Sequence, residues 1–161
     1  MKERLSAEQF EIRPIEPTNL DDVISIAASL GLSPWSRKDL EDEIGRDDSR
    51  CLLACRNEFV EGFIVTRIVP GPAVDRPEAE IYNLGVREES QGLGIGSRLL
   101  QHTLETLADA GVSAVWLEVR ASNTRAIDLY FSAGFAEADR RPAFYTSPVE
   151  DAVVMSLRFE S

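Results

Sequence analysis

Apolar residues at Phe10, Ile12 and Ile15 alternate loosely with polar ones, which predicts a first strand from Phe10 to Glu16. The period then lengthens. Leu20, Val23, Ile24, Ala27 and Leu30 follow helical spacing, with Thr18 or Asn19 as the cap and Gly31 as the stop. Ser36, with Asp39 three residues on as a weak capping box, predicts a second helix ending near Gly45. Three apolar runs predict strands over Cys51–Arg56, Val60–Val69 and Ala79–Val86. The segment Pro70–Pro77, rich in proline and containing Gly71, predicts a turn-rich loop inside one domain.

Further on, Ile95, Leu99, Leu100, Thr103, Leu104, Leu107 and Ala108 form one continuous stripe on the clearest helix of the chain, stopped by Gly111. Val115–Val119 predicts an apolar strand. Asn123 caps a short helix that is expected to turn Ile127, Tyr130 and Phe131 toward the core and to end at Gly134. Strands near Phe135–Arg140 and Ala152–Phe159 close the chain, joined through the short loop Thr146–Val149. The order β-α-α-β-β-β-α-β-α-β-β predicts a single mixed α/β sheet flanked by helices, one domain over residues 1–161 with its core at about 10–159. The central strand–helix–strand unit implies a parallel crossover, and the tight strand runs before it imply antiparallel hairpins.

Composition narrows the function classes. The chain has 161 residues, 43% apolar and 28% charged, ordinary for a globular domain. No apolar run approaches the roughly 18 residues of a membrane helix, and Met1-Lys2-Glu3-Arg4 leads into polar sequence, so a cytoplasmic protein without membrane contact is expected. A formal charge of −11 argues against direct nucleic-acid binding. It suits a basic partner, or serves solubility alone. Cys51 and Cys55, four apart in a strand, lie about 13 Å from each other, too far for a disulfide, and read as small core residues. With His102 as the one histidine, no metal site is expected.

The chemistry concentrates in Gln91-Gly92-Leu93-Gly94-Ile95-Gly96, between a predicted strand and the N-terminus of the long helix. Alternate glycines let backbone amides turn inward together, and the helix adds unpaired N–H groups and a positive dipole end. An anion is favoured there, most simply a phosphate; the alternative is a tight turn without a ligand. A nucleotide P-loop would need Gly-Lys-Ser/Thr, whereas Gly96-Ser97-Arg98 follows. A dinucleotide fingerprint would need glycine at position 97 and an acid at a strand tip, but Glu118 falls inside its strand.

Glu118 is the one charged residue within Val115–Val119. A carboxylate there must be solvated, paired with an arginine such as Arg120, or used. Tyr130 reads either as packing or as a positioned phenol. Asn123 is sufficiently explained as a helix cap.

Together these segments resemble the GNAT family of N-acetyltransferases. Gln91–Gly96 is similar to that family's Q/R-x-x-G-x-G/A motif, and Tyr82-Asn83-Leu84-Gly85-Val86 to its splayed strand. Trp116-Leu117-Glu118-Val119-Arg120-Ala121-Ser122-Asn123, Ala126–Tyr130 and Gly134-Phe135 resemble the ribosomal-protein-alanine N-acetyltransferases of the RimI type, as do Pro34-Trp35-Ser36 and Glu150–Met155. The likeness runs over roughly residues 10–159.

The resemblance implies the GNAT fold and transfer of an acetyl group from acetyl-CoA to a protein N-terminal α-amine. The implied acceptor is the N-terminal alanine of a small-subunit ribosomal protein. It implies Glu118 as general base and Tyr130, twelve residues on, as general acid. Coenzyme contacts are implied at Leu84, Gly85, Val86, Gln91, Gly92, Leu93, Gly94, Ile95, Gly96, Ser97 and Asn123. Because backbones make most of those contacts, the side chains of Leu93 and Ile95 are expected to tolerate change. Trp35, in the loop before the second helix, reads either as a core plug or as a wall of the acceptor groove, and Tyr145 is implied at the acceptor site. Pro142, within Arg140-Arg141-Pro142-Ala143, stands where the family varies, and Phe144 departs from the subfamily's aromatic pair. Acetylation of a small amine or a lysine side chain, or a non-catalytic coenzyme-binding or protein-interaction module, are the competing readings.

Overall fold

The computed structural model describes residues 10–32 and 35–160; Pro34 lies outside the described residues. The chain runs β1 (Glu11–Pro14), α1 (Leu20–Ser29), α2 (Arg37–Ile44), β2 (Ser49–Arg56), β3 (Phe59–Ala73), β4 (Arg76–Val86), α3 (Ile95–Asp109), β5 (Ala114–Arg120), α4 (Thr124–Ser132), β6 (Ala136–Thr146) and β7 (Val149–Arg158). These elements follow the predicted order. The seven strands form one sheet in the order β1-β2-β3-β4-β5-β7-β6. Among the described residues only β4 and β5, joined through α3, are parallel neighbours; the other pairs are antiparallel.

Local chemistry explains the helix ends. The Ser36 hydroxyl accepts the Asp39 amide at 3.0 Å, the cap the sequence predicted. Asn19 stands at the cap position of α1, but its Oδ1 turns back to accept the Glu16 amide at 3.0 Å. Gly31, Gly111 and Gly134 follow their helices with φ of 66°, 83° and 104°, backbone that a side chain would strain.

Three expectations are corrected. Residues 70–77 are not a loop: β3 continues to Ala73, β4 resumes at Arg76, and only Val74 and Asp75 turn between them. The pairing is irregular between Val69 and Ala73, so Pro70 and Pro72 sit where no ladder bond is demanded. The last strand pair is likewise longer than predicted, with Tyr145 opposite Glu150 and Thr146 opposite Val149. Pro142 falls in an interruption of that ladder between Arg141 and Tyr145, where Ala143 has φ 51°. Finally, Phe131 is half exposed rather than turned to the core; one position earlier, Tyr130 takes the buried face of α4.

Two apolar clusters lie on opposite faces of the sheet. α3 and α4 pack on Ile64, Ala79, Ile81, Val115, Leu117, Val119 and Met155. Leu99, Leu100 and Leu107 of the predicted α3 stripe are fully buried there, each worth about 1.5–3 kcal/mol over leaving it in water. On the other face α1 and α2 pack on Cys51, Leu53, Cys55, Phe63 and Val65, which come from β2 and β3 alone. Burial pushes the Cys51 thiol up to about 11, as suits an inert core residue. Because α1 and α2 cover only that half, the same face of β4, β5 and β7 is left open beside them.

Candidate active site

The parallel β4–β5 ladder runs from Glu78 opposite Ala114 to Ile81 opposite Leu117 and then stops. Both strands continue, β4 through Tyr82–Val86 and β5 through Glu118–Arg120. The cause lies on the other edge of β4. Val65 faces Asn83 while Thr66 faces Ile81, so Tyr82 is an extra residue that bends β4 away from β5. Beyond Ile81 β4 has no strand partner on its β5-facing edge, so an extended ligand can pair there between the strands.

On the α3 side this gap meets the glycine segment. A short 3-10 turn, Glu88–Ser90, follows β4. It is anchored by buried Glu61, whose carboxylate accepts from the Ser90 hydroxyl and whose carbonyl accepts the Arg87 amide at 2.8 Å. Gly92 and Gly94 then take φ of 83° and 84°, and Gly94 caps α3 with no side chain over the first-turn amides. That backbone leaves amides at a helix N-terminus able to take an anion.

The other residues of the segment divide between cradle and scaffold. A side chain at Gly96 would come within 3.4 Å of Leu129, so this glycine serves the close approach of α3 and α4. Gly85 similarly leaves room for Leu30, Leu32 and Phe63, each 3.1 Å from where a Cβ would stand. Ile95 is 2% exposed in the core, so the expected tolerance at this position is corrected; Leu93 is only partly buried. Gln91 donates to the Val86 carbonyl at 3.1 Å and accepts from Arg125. Arg125 Nη2 thereby lies 3.9 Å from where a Cβ on Gly92 would stand, adding positive charge beside the cradle. No sequence pattern singled out Arg125; its place depends on α4 packing against the glycine segment.

On the opposite side of the gap lies a cleft of about 950 Å³ over the open sheet face. Its walls are α2 with Trp35 on one side and the outer part of β6 on the other. Glu118 stands on its floor, partly exposed, with Arg141 Nε 3.3 Å from Oε1. The β6 irregularity brings Phe144 and Tyr145 over the cleft, their rings perpendicular with centroids 5.1 Å apart. Arg120 covers the Tyr145 ring at 4.2 Å and reaches Glu150 at 3.4 Å. Burial, reinforced by the Glu118 charge, holds the Tyr145 hydroxyl above the ordinary phenol range.

Tyr130 is nearly buried, its ring edge-on to Phe135 at 5.5 Å. Burial first, and then the nearby Tyr145, push its hydroxyl far above the ordinary phenol range, so it stays protonated. The Glu118 charge thus acts on the Tyr145 hydroxyl, and Tyr145 in turn on Tyr130. Trp35 combines its two sequence readings: it packs against the α1–α2 cluster and also lines the cleft, edge-on to Tyr82 at 6.4 Å. Asn123 caps α4 through Oδ1, which accepts the Ala126 amide at 3.2 Å, leaving only its amide group for a ligand.

A glycine turn at a helix N-terminus, joined through a splayed strand pair to a cleft with a carboxylate on its floor, suits a protein that brings an extended, phosphorylated ligand to a second substrate. Residues 20–135 match the acetyltransferase (GNAT) family, and the chain belongs to it. It is 36% identical over 148 residues to the ribosomal protein bS18-alanine N-acetyltransferase of Escherichia coli strain K12, covering 91% of this chain and 95% of that one. The crystal structure of the ribosomal-protein-S18-alanine N-acetyltransferase from Escherichia coli superposes with a TM-score of 0.81 at 33% identity, covering 94% of this chain and 95% of that one. Arabidopsis thaliana Naa50 in complex with the bisubstrate analogue CoA-Ac-MVNAL gives a TM-score of 0.82 at 26% identity, covering 94% of this chain and 99% of that one.

Proposed function

We propose that this enzyme moves the acetyl group of acetyl-CoA to the α-amine of a protein N-terminus, the acceptor being the N-terminal alanine of a small-subunit ribosomal protein. The observation that carries the reading is the end of the β4–β5 ladder at Ile81 and Leu117. It joins the glycine cradle on one side of the sheet to the Glu118 cleft on the other. The similarity to a ribosomal-protein-alanine N-acetyltransferase over nearly both full lengths supports the acceptor class.

The residues present fit acetyl-CoA. The amides from Gly92 to Ser97, with the α3 dipole and Arg125, suit a pyrophosphate. The free edge of Leu84–Val86 and the Asn123 amide suit a pantetheine arm. When bound, acetyl-CoA supplies the activated acyl group. Glu118 takes a proton from the incoming ammonium, directly or through water, and Tyr130 holds the proton that the departing sulfur needs. Trp35 and Tyr145 wall the acceptor. An α-amine, with an ordinary pKa near ~7.7–8.0, is more readily deprotonated at neutral pH than a lysine side chain near ~10.4.

A thiol-release assay with acetyl-CoA and a short alanine-first peptide tests this. Turnover is expected, and blocking the peptide's α-amine should abolish it. Turnover confined to internal lysines or small amines would replace the acceptor, and coenzyme binding without any turnover would remove the catalytic reading.

A further inference from the structure

Behind the glycine turn, away from the cleft, two buried polar side chains face each other. Glu61 is 3% and Ser90 7% exposed, and the Ser90 hydroxyl donates to one oxygen of the Glu61 carboxylate. Arg56 Nη2 stands 3.7 Å from the other oxygen, on a side chain 40% exposed. Taking a carboxylate out of water is costly, and one hydroxyl with a distant arginine offsets that cost poorly. An apolar pair of similar volume would join the two segments with less loss, so stability alone does not account for the arrangement.

Position does account for it. Among the described residues, three hydrogen bonds tie the end of β4 and the turn Glu88–Ser90 to the start of β3. The Glu61 carbonyl accepts the Arg87 amide at 2.8 Å, and Arg87 Nε donates to the Val60 carbonyl at 2.6 Å. Both of these hold Arg87. The third, from Ser90 to Glu61, reaches furthest along the chain, to within two residues of Gly92. Gly92 and Gly94, with φ of 83° and 84°, have the widest choice of backbone conformations once released. A segment that samples other conformations binds its ligand only in proportion to the fraction that is competent.

We propose that Glu61 and Ser90 are positioning residues for the coenzyme. Their buried hydrogen bond fixes the residues leading into the glycine turn and so presets the amides from Gly92 to Ser97 for the pyrophosphate. The effect runs through geometry rather than charge, because a carboxylate near the turn by itself opposes an anion there. The acceptor cleft, on the opposite side of the strand gap, is left unchanged. This rests on the coenzyme seat proposed above and adds the residues that hold it in shape.

Acetyl-CoA titrations by calorimetry on the full chain, with steady-state assays beside them, test the role. Ser90→Ala and Glu61→Ala should each weaken acetyl-CoA binding about tenfold, as a turn competent a tenth of the time requires. The double variant should bind no worse than either alone, since both changes remove one bond. Glu61→Gln keeps an acceptor of the same shape without the charge, and should bind as the wild type does or more tightly. KM for acetyl-CoA should follow Kd, while KM for the acceptor peptide stays at its wild-type value. Ile26→Val, which trims the core around α1, should lower stability and leave Kd unchanged, so a general loss of stability does not imitate the effect.

Wild-type binding in Ser90→Ala overturns the role, and that variant carries the test by itself if Glu61→Ala does not fold. A parallel rise in KM for both substrates, losses that multiply in the double variant, or a Glu61→Gln as weak as Glu61→Ala also overturns it. Normal acetyl-CoA binding by Gly94→Val would instead displace the seat itself, and the positioning role with it.

Discussion

Arg141 Nε lies 3.3 Å from Oε1 of Glu118, across the floor of the cleft, and joins the outer part of β6 to the centre of β5. The pair is half open to water, so its strength as a structural tie is small, about 0–1 kcal/mol. Its consequence is geometric: the guanidinium aims a carboxylate that would otherwise be free to rotate.

Glu118→Gln therefore separates chemistry from folding. Unfolding midpoints in urea should barely move, while kcat falls by about 10²–10⁴-fold if the carboxylate is the base. An acetyl-CoA titration should give the wild-type affinity, because the glycine segment proposed to hold the coenzyme lies on the other side of the sheet. Wild-type turnover in this variant would take Glu118 out of the mechanism.

Tyr130→Phe should lower kcat on a similar scale with coenzyme affinity preserved. The pH profile carries a sharper expectation. Burial raises the Tyr130 pKa, so the protonated, donating form persists to higher pH than an ordinary phenol near ~10 allows. The alkaline loss of kcat assigned to this group should therefore lie above pH ~10. A Tyr130-dependent fall near neutrality, absent from the phenylalanine variant, would contradict the burial argument.

Gly94 has φ 84° at the N-cap of α3, and valine there is both strained and placed where an anion should sit. Saturating acetyl-CoA at about 100 times Kd should stabilise the wild-type protein by about 2.7 kcal/mol. Thermal melts of Gly94→Val should show a folded protein with no such shift. A normal coenzyme-dependent shift would move the pyrophosphate elsewhere.

Ile95→Ala tests the corrected view of the glycine segment. Its side chain is in the core, so truncation should cost about 2–5 kcal/mol in denaturant unfolding. Leu93→Ala, at a partly buried position, should cost distinctly less.

Periodicity made most of the fold legible. The α3 stripe, the Ser36 cap and the glycine stops each depend on residues close together in the chain, and local physics decides them. The places where the reading failed have other causes. Pro70 and Pro72 looked like loop because proline cannot donate to a ladder, yet an irregular register leaves them nothing to donate to. Ile95 looked replaceable because the glycines around it drew attention to backbone, while the start of the α3 stripe already made it core.

The sequence by itself determined the element order and the glycine turn at the head of α3, and through resemblance it pointed to Glu118 and Tyr130. Tertiary structure decided what those residues face. The extra residue at Tyr82 pries β4 from β5, and the short reach of α1 and α2 leaves half a sheet face open. Arg141 and Arg125 enter the site only because distant strands and helices pack there. Backbone conformation and capping follow from neighbours in sequence, whereas a cleft is a gap between elements. Its lining is set by how those elements bury their apolar faces, which no single segment encodes.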